Sequence, residues 1–383
     1  MEQQHMFTNR MIRNLLVPVV LEQILNSIMG TADTMMVSNV GSAALSAVSL
    51  VDSINVLLIQ AFSALAAGGA IVCAQYIGQR NYEKANMSAR QVLFIITAIS
   101  VVVSAVCLIF QKPLLRLIFG AVDADVMRAS EIYFFFTALS FPFIAAYDSA
   151  ASIFRAQENT KGPMTISMIS NIMNIGGNAV LIWVFHLGVA GAAISTLVSR
   201  IFCAVVVLWQ LRKDRQPVVV RDYLKIRPDW SMIGRILGLG IPSGIENSMF
   251  QLGKLAIQST VSTLGTAAIA AQAMTNILEN LNGIAAIGVG VGLMTIVGQC
   301  LGAGRKDEAV YYIKKTLRHC RDNYYRKLSD RVYFGQTGDD PWRNGEYQCG
   351  NVHPHDHMDH HRKACGMDNG RSCRGMVFVQ PVM

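Results

Sequence analysis

Residues 15–44 read LLVPVVLEQILNSIMGTADTMMVSNVGSAA, and residues 239–268 read LGIPSGIENSMFQLGKLAIQSTVSTLGTAA. The two stretches lie 224 positions apart, and at that offset Pro18 falls on Pro242, Glu22 on Glu246, and Gly41-Ser-Ala-Ala on Gly265-Thr-Ala-Ala. The register continues without a gap, placing Gly68 on Gly292, Gln75 on Gln299, Gly78 on Gly302 and Ala85 on Ala309. Alanine matches between apolar segments carry little information. Matched Pro, Glu and Gly positions at one fixed offset mark an internal duplication.

The surroundings say where the duplicated unit lives. Of 383 residues, 52% are hydrophobic and 15% charged, against about 25% charged in an average soluble protein. A large water-soluble enzyme, a disordered chain and a small disulfide scaffold are excluded by these figures. A bilayer core of about 30 Å needs roughly 20 apolar residues in helical form. Eight segments meet that need, near 15–37, 50–78, 91–111, 130–153, 164–185, 188–211, 236–260 and 273–300. Runs this continuous are helices, because barrel strands are shorter and alternate. Met1–Arg13 is polar and the apolar stretch after it is too long for a signal-peptide core, so an uncleaved first span is expected.

The net charge of +8 is distributed as membrane topology rather than as a nucleic-acid patch. Loops on one side carry 19 Lys/Arg, seven of them between Arg212 and Arg235, and the other side has only Lys112, Arg116 and Arg128. The positive-inside rule then places the N terminus in the cytoplasm. Six spans separate the two copies, so both enter the membrane in the same sense. Parallel repeats of this kind are typical of secondary transporters, with the substrate site between the halves. The expected organisation is an N-terminal six-helix lobe over 1–211, a cytoplasmic linker over 212–235, the first part of a second lobe over 236–318, and a polar tail over 319–383.

Several motifs are familiar: Pro18 with Glu22, Met29-Gly-Thr-Ala-Asp33-Thr, Phe154-Arg-Ala-Gln-Glu-Asn-Thr-Lys-Gly-Pro-Met164, Gly188-Val-Ala-Gly-Ala-Ala-Ile-Ser-Thr196, Gly240-Ile-Pro-Ser-Gly-Ile-Glu246 and Gln299-Cys-Leu-Gly302. On these residues, over about 10–318, the chain resembles the multidrug and toxic compound extrusion (MATE) family of cation-coupled antiporters. The resemblance implies an all-α polytopic membrane protein, a two-lobe MATE-type bundle with a cleft opening alternately to each side. The second lobe is expected to be incomplete over this sequence. It also implies efflux of amphipathic organic cations driven by Na+ or H+, no cofactor beyond that coupling ion, no enzymatic activity, and a monomer in contact with lipid in a bacterial cytoplasmic membrane. One departure bears on coupling: where the family often has Asp in an Asn-Ile-x-x-Asp pattern, this chain has Asn174-Ile-Gly-Gly-Asn178.

Ionisable groups at mid-membrane are costly and default to function. Asp33 is the expected coupling-ion or proton carboxylate, with Asn174 and Asn178 as neutral ligands. Glu246 is expected to face a cationic substrate or to pair with Lys254, and Glu22, its repeat equivalent, to share the cavity. The plainer alternative makes each acid a hydrogen-bonded group near a helix end, and Lys254 a snorkelling side chain. Pro18 and Pro242 are the expected kinks.

The duplication also requires the third span to recur near 315–335. Instead Arg318-His-Cys-Arg-Asp-Asn-Tyr-Tyr-Arg-Lys appears, and residues 320–383 hold 9 of the 33 Lys/Arg and 8 of the 25 Asp/Glu. The tail is rich in His (His353, His355, His357, His360, His361) and Cys (Cys349, Cys365, Cys373), but without a zinc-site spacing. Asp322-Asn-Tyr-Tyr is encoded GAY-AAY-TAY-TAY. Read one base later it gives only Ile or Thr codons, and His355 to His361 likewise gives a Met/Ile/Trp run. The expected explanation is a shifted reading frame, ahead of a disordered tail or a metal-binding one. Two rivals to the antiporter are a lipid-linked oligosaccharide flippase, which should carry several basic residues in its cavity, and a non-transporting membrane protein with a His/Cys tail. Resequencing the coding DNA around codons 310–330 should reveal one missing or extra base; an intact frame would overturn the explanation.

Overall fold

A computed structural model describes residues 6–119, 124–213, 217–220, 227–262 and 266–318. The tail assigned to a shifted frame lies outside the described residues. Those described are helical almost throughout. In order they form α1 (Asn9–Ser38), α2 (Ser42–Gly78), α3 (Tyr82–Ile109), α4 (Gln111–Phe119), α5 (Ala124–Ala156), α6 (Lys161–Ala179) running into a π turn (Val180–Val184), α7 (Gly188–Leu211), α8 (Trp230–Ser262) and α9 (Thr266–Gly302). A further helix, α10, covers 306–318.

The ends are set by local chemistry. Thr8 Oγ1 accepts from the Met11 amide to start α1, Asn81 Oδ1 from Lys84 to start α3, and Asp229 Oδ1 from Ser231 and Met232 to start α8. Arg80, at φ 58°, and Gly304, at φ 75°, close α2 and α9 in the left-handed conformation, at positions the 224-residue offset superimposes. Six helices, α1, α2, α3, α5, α6 with its π turn, and α7, are long and apolar enough to cross a membrane. The expected span 236–260 is helical as part of α8, but Ser243, Asn247, Ser248, Gln251 and Lys254 dilute its apolar character. The helices outrun the sequence-based spans by up to nine residues, because polar residues such as Ser42, Ser46 and Ser49 continue a helix once its axis is set. The short α4 was not anticipated; Leu115 is buried on one face while Leu117 lies 83% exposed on another.

Helix α5 is the spine of the first lobe. It packs against α2, α3 and α7, burying Phe134, Phe141, Ile153 and Phe154 together with small Ala and Ser positions that let the backbones close up. The described part of the linker lies against this lobe. Val218 and Val220 are buried, Val218 N donates to Gln157 Oε1 at 3.0 Å, and Val219 N donates to Asn86 Oδ1 at 2.7 Å.

The duplication is visible as geometry. A Cβ on Gly78 of α2 would stand 2.1 Å from the Gln299 carbonyl oxygen of α9, and one on Gly302 would stand 2.0 Å from the Gln75 oxygen. Each contact is the other shifted by 224. In the same way Gly68 meets Gly240 across α2 and α8, and Gly292 meets Leu16 across α9 and α1. These approaches fall in the C-terminal halves of α2 and α9 and the N-terminal halves of α1 and α8. At Gly68, Gly78 and Gly302 backbone faces backbone, so glycine is required there, whereas Gly292 leaves room for the Leu15 and Leu16 side chains. Gly78→Ala and Gly302→Ala should each cost about 1–3 kcal/mol through overpacking, read as a lower Tm in detergent. Gly30→Ala, with open space around its Cβ, should be neutral or stabilising by up to about 1 kcal/mol.

Candidate functional site

Helix α1 carries Pro18, Glu22, Asn26 and Asp33 on one face, at spacings of four, four and seven. That face is turned towards α5, α6 and the turn between them, and each polar residue on it finds a partner. At the bottom, Pro18 lacks an amide, which frees the Asn14 carbonyl. Thr160 Oγ1 donates to that oxygen at 3.4 Å. The helix continues through Pro18 without a break. Pro242 also lies within a continuous helix, α8, on an exposed face.

Next along the face, Glu22 is 2% exposed and ion-paired with Arg155 at 3.1 Å, while Tyr147 O–H donates to the same oxygen at 3.0 Å. Sequence reasoning placed Glu22 in a substrate cavity. In the structure the carboxylate is buried and paired, and it ties α1 to the end of α5. The turn after Arg155 extends the junction. Ala156 O accepts from Gln299 Nε2 at 2.9 Å, bringing in α9. Glu158 takes a left-handed conformation at φ 64°. Burial raises its carboxyl above the usual carboxylate range, opposed by a hydrogen bond from Gln299.

One turn above Glu22, Asn26 Oδ1 accepts from Ser167 at 2.9 Å and from Asn171 at 3.2 Å. Asp33 then meets α6, where Asn178 Nδ2 donates to Asp33 Oδ1 at 2.6 Å and to Asn174 Oδ1 at 3.3 Å. Asn174 Nδ2 donates to Thr196 Oγ1 at 3.3 Å, and Ser195 Oγ donates to the Asn174 carbonyl at 2.9 Å. The structure therefore brings Asp33, Asn174 and Asn178 together, on α1 and α6, with α7 behind them. Gly177 makes the cluster possible, since a Cβ there would stand 2.4 Å from Ser195 Oγ. The π turn begins two residues beyond Asn178, a backbone irregularity of the kind that recurs at functional sites. Asn178 is fully buried, yet its Oδ1 has no hydrogen-bond partner. A buried acceptor left open beside a carboxylate is suited to a cation or a proton.

The other nominated residues lie elsewhere. Glu246 is exposed on α8, and the Lys254 ammonium sits 5.0 Å over the Phe250 ring. Residues that sequence reasoning did not assign to the site do gather in the first lobe. Asp52 accepts from Tyr133, Asp148 from Ser63, and Arg200 donates to Ser140 at 2.6 Å while interacting with Asp33, Asp52 and Asp148 through its charge. Their only sequence signal is a charge within or beside an apolar run.

Comparison with known proteins agrees with the geometry. The profile of the family described as MatE matches residues 18–180 and 242–318. The "Probable multidrug resistance protein YoeA" of Bacillus subtilis is 27% identical over 312 residues, covering 79% of this chain and 66% of its own. The "Probable multidrug resistance protein NorM" of Thermotoga maritima is 25% identical over 308 residues, covering 79% and 65%. The chain thus spans just under two thirds of the length of these curated relatives. Among solved structures, the outward-facing conformation of a multidrug resistance MATE family transporter superimposes with a TM-score of 0.76 at 19% identity, over 85% of this chain and 71% of the other. Glu22→Ala would strand the Arg155 guanidinium in the bundle and should cost about 3–5 kcal/mol, measured by thermal unfolding in detergent. Removing both charges, with Glu22→Leu and Arg155→Leu together, should recover most of that loss.

Proposed function

The chain belongs to the MatE family of multi-pass membrane transporters, and on that premise we propose that it is built as a cation-coupled antiporter that expels amphipathic organic cations by alternating access. The observation that carries the reading is the open Asn178 Oδ1 beside Asp33. Sodium would take the Asp33 carboxylate together with amide and hydroxyl oxygens of Asn178, Asn174 and Thr196. A proton would neutralise Asp33 instead. Either event removes a negative charge from the face by which α1 is held to α6, and so links ion occupancy to the position of α1.

The glycine contacts between the two repeats support the second half of the proposal. They close the end that bears the N terminus and the basic loops, which we assign to the cytoplasm, in a bacterial inner membrane. A bundle closed there would load its coupling ion from outside. Lipid and small organic cations are the proposed partners, with the chain as a monomer and without nucleic acid. Glu246 and Lys254, on α8, are the proposed cavity residues of the second half. The flippase reading is less favoured: among the described residues of the first lobe, Arg155 is paired with Glu22 and Arg200 stands among three carboxylates, which leaves no cluster of free basic groups for a pyrophosphate.

The test is transport in proteoliposomes loaded with a fluorescent organic cation. Wild-type protein should expel the dye when a sodium or proton gradient is applied. Asp33→Asn should reduce gradient-driven expulsion to background while dye binding persists. Asn178→Asp, which supplies a second carboxylate, should tighten cation binding. Unchanged coupling in Asp33→Asn would overturn the proposal.

A further inference from the structure

Asp33 and Asn178 form a pair with a distinctive layout. The amide N–H donates to the carboxylate, and the amide oxygen has no partner. The same layout occurs once more among the described residues, on α2. Asn55 Nδ2 donates to Asp52 Oδ1 at 3.2 Å, and Asn55 Oδ1 has no hydrogen-bond partner although the residue is only 3% exposed. Tyr133 O–H, from α5, reaches that same carboxylate oxygen at 3.2 Å. No hydrogen bond from a described residue reaches Asp52 Oδ2. We propose that Asp52, Asn55 and Tyr133 form a second binding site for a monovalent metal cation of sodium size, separate from the one at Asp33.

The donor set suits a hard cation. A half-turn of the Asn55 amide about its Cβ–Cγ bond exchanges N–H for C=O at the carboxylate. The ion then has a carboxylate oxygen, an amide oxygen and a phenol oxygen, the oxygen-only coordination that alkali ions take inside transporters. The same turn gives the buried acceptor the ion as its partner and moves the N–H2 group to the place the oxygen left.

Charge in the lobe favours a single positive charge at each site. Glu22 is neutralised by Arg155. That leaves Asp33, Asp52 and Asp148 facing one guanidinium, that of Arg200, which interacts with all three and hydrogen-bonds to Ser140 rather than forming a close ion pair. With all three ionised, and Arg155 also acting on Asp148, two negative charges stand in excess, room for one monovalent cation at Asp33 and one at Asp52. Asp33 and Asp52 also repel one another directly, so filling one site lowers the electrostatic cost of leaving the other empty. Asp148 differs in lacking an open amide beside it: Ser63 Oγ donates to its Oδ2 at 2.5 Å.

The test is equilibrium dialysis of the purified full chain against radioactive sodium in a choline chloride background. Wild type should bind one equivalent more than Asp52→Asn, and one more than Asp33→Asn. The double variant should bind none. Sodium binding in Asp52→Asn equal to wild type would overturn the second site and leave the Asp33 reading intact. Binding in Asp33→Asn equal to wild type would leave the second site standing and assign a proton, not sodium, to Asp33. Asn55→Asp guards against a variant that merely misfolds: an added carboxylate should shift the sodium titration to lower concentration, and an unshifted curve would also overturn the site.

Discussion

The ion pair between Glu22 and Arg155 is the constraint on which the rest of the first lobe depends. Neither charge could be carried into a helical bundle alone. Together they tie the first helix to the end of the fifth, and the turn that follows Arg155 uses its remaining groups to hold neighbours. Thr160 covers the carbonyl that Pro18 exposes, Ala156 accepts from Gln299 of the second repeat, and Gln157 accepts from the linker at Val218. A short polar turn thus joins four separate segments of chain. The upper end of α1 is held without an ion pair: a hydrogen bond runs from Asn178 to Asp33, and Val37 packs into the core beyond it.

This difference along one helix accounts for where chemistry can occur. At the Glu22 level the carboxylate charge is already matched by Arg155, so an arriving cation gains less there. The Asp33 level is partly open, uncompensated by any close cation, and lined by amide and hydroxyl groups that can turn. A helix fixed by an ion pair at its base and held without one near its top can respond to ligand at the top without losing its anchorage.

Much of this was legible in the residues. The duplication fixed the sense of the helices, and the motif containing Asp33 together with Asn174 and Asn178 led to a cluster that the fold does assemble. What could not be read was surroundings. Glu22 and Glu246 occupy the same place in the two copies, yet one is buried in an ion pair and the other is exposed. The difference lies in the partner: Glu22 meets Arg155 and Tyr147 of α5. Asn26 and Asn55 were passed over for a related reason. A single polar residue in an apolar helix does not announce which neighbour it will face, and that depends on α5 and α6 arriving at a certain rotation. The continuation of helices beyond the apolar runs, and the small helix α4, reflect backbone hydrogen bonding that persists where hydropathy has already fallen.

The crossed glycine contacts have an implication for ancestry and for assembly. Helix α2 leans on α8 and helix α9 leans on α1, so each copy of the repeat places its most intimate backbone contacts on the other copy. Two surfaces that are each other's image under a half-turn are what an isologous dimer interface consists of. A polypeptide holding one repeat alone would present both strips, unsatisfied, to any second molecule of its kind, and the natural way to cover them would be pairing by twofold symmetry. The four helices α1, α2, α8 and α9 are arranged as such a pair joined through one chain, with the twofold axis passing at the seam between Gly78 and Gly302.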